Sequence, residues 1–221
     1  MRKGPRLPPE ALQPYLLPTP PPGPALPPPP APLDWREVFG NGNPVEVEVG
    51  FGKGLHLVTA GAANPGTNYL GVEIVRKYQL FTATRLAKRG LPNVKVACGD
   101  GNRFVAACVA PGSLRAVHAY FPDPWWKKRH QKRRLFTPAF AAQCERILRP
   151  GGVLHVVTDV QEYFGIMTAL LAENTRLQAL PPPAEKPPAH DLDYLTNFER
   201  KFRKQGRPIY RGAFAKPLPP S

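Results

Sequence analysis

The sequence is short of cysteine, of acid and of long apolar runs. Its three cysteines, Cys98, Cys108 and Cys144, are an odd number at spacings that suit neither a disulfide framework nor a zinc site. All three fall in apolar or helical contexts, so they read as buried free thiols in a reducing compartment. No apolar run approaches the ~18 residues of a membrane span. Arg2 and Lys3 are followed by prolines, not by the apolar stretch of a signal peptide. A soluble, cytoplasmic protein with no membrane and no metal is expected. Asp and Glu number 16 against 30 Lys and Arg, a formal charge of +14. Residues 33–180 alone carry +8, so the folded part is itself basic and a phosphate-rich partner is the first expectation.

Proline is in excess, 31 of 221 residues, but only at the ends. Residues 1–32 hold 14 prolines and residues 181–221 hold 9, leaving 8 between. The middle is normally composed, with a hydrophobic share of 42% over the whole chain, which excludes a fibrous or wholly disordered protein. The expected organisation is a Pro-rich tail over 1–32, one domain over 33–205 and a C-terminal tail over 206–221. Runs such as Pro20–Pro22 and Pro27–Pro30 suit polyproline II geometry.

Strand and helix signals alternate through the middle. Val45–Val49 alternates and is β-branched, predicting a strand. Leu55–Ala62 is helical in pattern, Tyr69–Glu73 a second strand, and Val75–Lys88 a helix stopped by Gly90. Val94–Cys98 is a third strand, Asn102–Val109 a short helix and Ala116–Phe121 a fourth strand. Thr137 fits an N-cap with Pro138 at the first helical position, opening a helix to Leu148. Pro150-Gly151-Gly152 turns into a strand over Val153–Thr158, and Tyr163–Glu173 is a helix. Residues 181–197 read as a connector and 198–204 as a further strand. The class is α/β: a Rossmann-like, mostly parallel sheet with helices on both faces. Ligands of such sheets lie beyond the carboxyl ends of the strands.

Glu48, Gly50, Gly52 and Gly54 form a Gly-rich strand-to-helix turn spaced G-x-G-x-G. The spacing is neither a P-loop nor a dinucleotide fingerprint. Glu73 ends the next strand, where an acid can accept two ribose hydroxyls, and Asp100 follows the third, where it can accept from an adenine amino group. A turn without a pyrophosphate partner but ringed by carboxylates suits S-adenosylmethionine, which is cationic and carries no phosphate.

Phe121-Pro122-Asp123-Pro124-Trp125-Trp126 leads into residues 127–134, six of which are Lys or Arg. Two prolines restrict Asp123 to an extended frame. Tryptophans beside a cationic run suit a flipped or single-stranded base and its phosphates. His118 and His155 fall within strands, which suits packing, and His56 falls on the first helix of the domain. Trp35 and Tyr163 read as packing residues.

Together these residues resemble the tRNA (guanine-N7)-methyltransferases of bacterial type. Asp123–Arg134 is similar to that family's Pro-Asp-Pro-Trp signature with its basic run, and Glu48–Gly54 and Gly71–Glu73 to its first two cofactor motifs. Thr158-Asp159 and Thr196–Glu199 resemble its downstream substrate motifs. Trp126 stands where bacterial members usually have proline. The resemblance spans about residues 34–205. It implies a class I enzyme that moves a methyl group from S-adenosylmethionine to N7 of guanine 46 in the variable loop of tRNA. By position, Glu48, Gly50, Gly52, Gly54, Glu73, Asp100 and Asp123 would meet the cofactor, with Asp123 also the active-site acid. Lys127, Asp159, Thr196, Asn197, Phe198 and Glu199 would meet tRNA. Two other readings stay open on the residues alone: a methyltransferase for another RNA or a small molecule, and a catalytically silent RNA binder. A dehydrogenase trails them, and the chain is read as a monomer or homodimer.

Overall fold

The computed structural model describes residues 7–18, 32–181 and 196–219. Both polyproline runs and most of the connector lie outside them. The core is one sheet of eight strands: β1 (Leu16–Leu17), β2 (Val45–Val49), β3 (Asn68–Glu73), β4 (Val94–Cys98), β5 (Leu114–Tyr120), β6 (Leu148–Thr158), β7 (Gln178–Ala179) and β8 (Tyr210–Ala215). Their spatial order is β1-β4-β3-β2-β5-β6-β8-β7. β1 to β6 pair in parallel, and β8 runs antiparallel to both β6 and β7. The order reverses between β2 and β5, which opens a crevice at their carboxyl ends.

Helices cover both faces. On one side α4 (Gly101–Cys108), α5 (Pro138–Ile147) and α6 (Gln161–Asn174) pack on Val47, Val49, Val117, Ala119 and Leu154. The five-residue α1 (Trp35–Phe39) lies against the same core. On the other, α2 (Leu55–Ala63) and α3 (Arg76–Arg89) pack Leu57, Val58, Ala83 and Leu86 on Tyr69 and Val96. Local signals set the boundaries. The Thr137 hydroxyl accepts from Phe140 N–H with Pro138 at the first position of α5. Gly90, left-handed at φ 60°, stops α3 after Lys88 and Arg89, two cations suited to a helix C-terminus.

The ends depart from the sequence-based expectation. Residues 9–15, read as part of an extended tail, form a 3₁₀ helix, and Leu16–Leu17 add a parallel edge strand to β4. The Lys95 ammonium fixes this segment through the Pro14 carbonyl at 2.6 Å. Residues 210–215, read as tail, are β8, six residues in register with β6. The Pro150 turn sits inside β6 as a bulge, since the partner register shifts between Leu114 and Ala116.

The expected strand over 198–204 is instead α7 (Asn197–Lys204). The Thr196 hydroxyl accepts from Glu199 N–H at 3.0 Å, which closes the first turn. Phe198 and Phe202 then share one face with stacked rings 6.2 Å apart, and Glu199 pairs with Arg203 at 3.0 Å, one turn on.

Candidate functional site

β2 ends in the Gly-rich turn, whose Gly50, Gly52 and Gly54 have φ of 82°, 53° and 64°. A side chain is strained at all three, and a Cβ on Gly54 would also lie 2.3 Å from Thr82. Two distant side chains fix the turn. Glu73 Oε2 accepts from Gly52 N–H at 2.9 Å, while its Oε1 accepts from Val75 N–H at 3.0 Å. Arg85 donates to the Lys53 carbonyl at 2.7 Å. Glu73, buried at the end of β3, therefore shapes the turn.

A cavity of about 430 Å3 opens above the turn. It joins Glu48, Gly50 and Gly52 to Thr196, Asn197 and Phe198, which are far apart in sequence. α7 is the wall that brings the second group across. Gly54, Glu73, Asp100, Asp123, Lys127, Asp159 and Glu199 do not line it. Asp100 is exposed and caps α4 through Arg103 N–H at 3.1 Å. Asp159 pairs with Arg207. Glu199 is buried and accepts from Arg203 and Arg211, so its carboxylate ties α7 to β8. Asp123 is exposed just beyond β5. All seven nonetheless lie in the turn or at and beyond strand or helix ends that open on the carboxyl side of the sheet.

Reasoning on sequence missed His56 and Tyr120, both of which line the cavity. The signal was available in strand parity. Glu46 and Glu48 share a face of β2, His118 and Tyr120 share a face of β5, and the register sets Glu48 opposite His118. Read alone, the Val-Glu-Val-Glu-Val alternation suggests a wet face. In fact both faces are covered, and Glu46 and Glu48 are 8% and 3% exposed.

This internal polar face is electrostatically divided. Burial pushes the Glu46 carboxyl up, but His118 and Arg115 outweigh it and hold it down at about 2. Arg115 Nε lies 2.8 Å from Glu46 Oε1 and His118 Nε2 lies 2.8 Å from Oε2. His118 Nδ1 in turn meets the Tyr120 hydroxyl at 2.7 Å. Glu48 has no such help: burial, then the charge of Glu73, raise it to about 8. Its Oε2 is buried without a hydrogen-bond partner, as is His56 Nε2. A cationic group beside Glu48 would favour its charged form, while Lys53, Arg200 and Lys201 give the same cavity a cationic side. Among the described residues no group of three His, Cys, Asp or Glu side chains could hold a metal ion. No described helix is long and apolar enough to cross a membrane.

The basic loop stands beside this site. Phe121 and Trp125 have positive φ, 51° and 43°, strained values for aromatic residues that frame Asp123 on both sides. The Phe121 ring lies 6.1 Å from Phe198 and 5.7 Å from Phe202, joining the loop to α7. Residues 128–133 form a 3₁₀ helix that presents Lys128, Arg129, Lys132 and Arg133 to solvent, with Lys127 exposed just before it. Arg134, expected to hold phosphate with the rest, is folded inward. Its Nε donates to the Pro124 carbonyl at 2.6 Å and its guanidinium covers Trp126 and buried Tyr163. Trp126 is 44% exposed. His130 packs edge-on against Trp125.

The family model described as "Putative methyltransferase" matches residues 42–212. A tRNA (guanine-N(7)-)-methyltransferase of Rhodopirellula baltica is 45% identical over 193 residues, covering 85% of this chain and 71% of the relative. Proteins of the same name from Geobacter metallireducens and Haemophilus influenzae are 38% and 35% identical, covering 81% and 84% of this chain and 85% and 75% of theirs. Among solved structures, the 16S rRNA methyltransferase KamB superposes with a TM-score of 0.62 at 16% identity, covering 84% of this chain and 93% of its own. A 16S rRNA (adenine(1408)-N(1))-methyltransferase from Catenulisporales acidiphilia, solved with S-adenosylmethionine, gives 0.60 at 19%, covering 86% and 95%. At those identities the likeness is one of fold.

Proposed function

The chain belongs to the tRNA (guanine-N(7)-)-methyltransferase family, and from that premise we propose that it methylates N7 of guanine 46 in the variable loop of tRNA, in the cytoplasm. The observation that carries the reading is the cavity that joins Glu48, whose Oε2 is buried without a hydrogen-bond partner, to Phe198, which the loop bearing Asp123 and the exposed cations meets through Phe121. Glu48, Gly50 and Gly52 would hold S-adenosylmethionine in the cavity, with Gly54, Glu73, Asp100 and Asp123 proposed to complete its site, and the cofactor would supply a sulfonium methyl open to in-line displacement by an in-plane nitrogen lone pair.

Guanine N7 carries no proton at neutral pH, so no residue of this chain has to act as an obligatory base. The work left to the protein is orientation and electrostatics. Asp123, exposed just beyond β5, is the carboxylate proposed to accept from guanine N1–H and the 2-amino group and to favour the positive charge that develops on the purine. Thr196, Asn197 and Phe198, which line the cavity, are proposed to meet the tRNA together with Asp159 and Glu199, and Lys127, Lys128, Arg129, Lys132 and Arg133 are proposed to meet its backbone phosphates. The exposed ring of Phe198, 52% accessible and seated on Phe202, offers the base an apolar face.

A tRNA transcript with 7-deazaguanosine at position 46 tests the reading. It keeps every hydrogen-bonding edge used by Asp123 and lacks only the accepting nitrogen. The expected result is full binding with no methyl incorporation. Incorporation equal to that of the normal transcript would place the chemistry on another atom.

A further inference from the structure

The two tryptophans of the basic loop have different surroundings. Trp125 is half-buried: His130 meets it edge-on at 5.5 Å and the Arg133 guanidinium lies over its ring at 5.3 Å. Trp126 is 44% exposed and does not line the cavity above the Gly-rich turn.

The Trp126 ring is exposed but not loose. The Arg134 guanidinium lies over it at 5.5 Å, and Arg134 Nε is tied to the Pro124 carbonyl at 2.6 Å. The ring of Tyr163, fully buried in α6, meets it at 6.2 Å and 74°. The same guanidinium covers Tyr163 at 5.7 Å, so one cation joins both rings. An indole backed by an anchored cation and a core tyrosine has little freedom left to lose, so the ordering cost of binding is largely met in advance. Its uncovered surface is mostly apolar, and covering it removes that surface from water.

The charges around the ring select the partner. Lys127, Lys128, Arg129, Lys132 and Arg133 follow it and are all exposed, and no acid occurs between Asp123 and Glu145. A second copy of this chain would set two cationic loops against each other, and an apolar protein surface would desolvate these cations without pairing them. A single-stranded nucleic acid meets both demands: its phosphates take the cations and an unstacked base covers the ring. Asp123, proposed above to meet the target guanine, lies three residues earlier in the same loop. Three residues of chain span at most ~11 Å. The ring therefore stands within reach of the nucleotide beside the target.

We propose that Trp126 is a base-stacking residue that holds the nucleobase next to the methylated guanine, with Arg134 and Tyr163 as its support. It fixes the strand on one side of the target and so helps guanine 46 to leave the stack. Trp126 stands where bacterial members of the family usually have proline, so the platform is a feature of this chain and not of the shared motif. The inference rests on the tRNA reading above and adds a contact to a base that is not itself modified.

The test is a double-mutant cycle on tRNA affinity. Wild type, Trp126→Ala and Trp126→Phe are titrated by filter binding against an unmodified transcript and against transcripts abasic at the nucleotide on the 5′ or the 3′ side of guanine 46. On the intact transcript Trp126→Ala should bind about tenfold more weakly, within the range for one base stacked on an aromatic ring. Trp126→Phe, which keeps a ring, should recover part of the loss. On one of the two abasic transcripts, wild type and Trp126→Ala should bind alike. The slope of log affinity against log salt should stay at the wild-type value, because the ring neutralises no phosphate. A loss that persists on both abasic transcripts would assign the effect to loop structure and overturn the proposal. Equal affinity of wild type and Trp126→Ala for the intact transcript would overturn it as well, with the tRNA reading left standing. Failure of wild type to bind the intact transcript would remove that reading and this inference together.

Discussion

Glu46 and His118 face each other across β2 and β5, with His118 Nε2 2.8 Å from Glu46 Oε2. Two residues further along β2, Glu48 has no comparable partner. Neighbouring carboxyls on one face of one strand are thus driven in opposite directions, one to about 2 and the other to about 8. One is paired and the other is not.

The Glu46 pair sets acid stability. Between pH 4.5, the group's ordinary value, and about 2, the unfolded chain binds a proton at Glu46 that the folded chain does not. Stability therefore falls as pH falls through that window. Glu46→Gln should flatten this part of the profile, read by circular dichroism melts from pH 5 to pH 2. A slope unchanged from wild type would contradict the pairing.

Glu48 has the opposite sign. The folded chain keeps its proton from pH 4.5 up to about 8 while the unfolded chain releases it. Its contribution is fully present below pH 4.5 and is lost as pH rises through about 8. Glu48→Gln should remove that loss, giving higher thermal stability than wild type at pH 8 without ligand, yet weaker binding of S-adenosylmethionine. Calorimetry in two buffers of different ionisation enthalpy should show proton release on cofactor binding to wild type at pH 7 and none for Glu48→Gln. Equal proton release from both proteins would assign it elsewhere.

Asp123 is the expected source of electrostatic stabilisation at the base. Asp123→Asn should lower the single-turnover methylation rate by about 100-fold, in the range for one preorganised polar group. Affinity for tRNA, measured by filter binding, should change far less. A normal single-turnover rate would exclude this role.

The cations of the loop divide into two kinds. Lys127→Ala should weaken tRNA binding and reduce the slope of log affinity against log salt by roughly 0.7–0.9 if it neutralises one phosphate. Arg134→Ala should instead lower the melting temperature, because this guanidinium supports the Pro124 carbonyl and covers Trp126 and Tyr163. The reverse pattern would mean that the inward packing of Arg134 does not govern the loop.

Thr196 supports α7. Its hydroxyl accepts from Glu199 N–H, and loss of such a cap costs about 1 kcal/mol. Thr196→Ala should raise KM for both substrates by loosening the wall that closes the cavity, while Thr196→Ser should behave as wild type. An unaltered KM in Thr196→Ala would show that the cap does not control the wall.

The alternating core from Val45 to Asn174 was legible because each element carries its own local signal: β-branched runs, Gly90 after α3, and Thr137-Pro138 before α5. The ends were less so. Leu16 and Leu17 are too short a pair to announce a strand, and they become one only by pairing with β4. β8 is disguised by Gly212 and by its prolines on either side, and the register with β6 supplies what its composition lacks. α7 was misread although Thr196 and Glu199 stand three apart, the spacing of a capping box. In the site, the Gly-rich turn and the Asp123 loop show themselves as contiguous motifs. The cavity does not, since Glu48, His56, Tyr120 and Phe198 meet only when four elements are assembled.

The most direct measurement of the whole account is transfer of labelled methyl from S-adenosylmethionine to an unmodified tRNA transcript, followed by mapping of the labelled nucleotide. One 7-methylguanosine is expected, at position 46 of the variable loop. Label at another position or atom, or tight tRNA binding with no transfer, would contradict it.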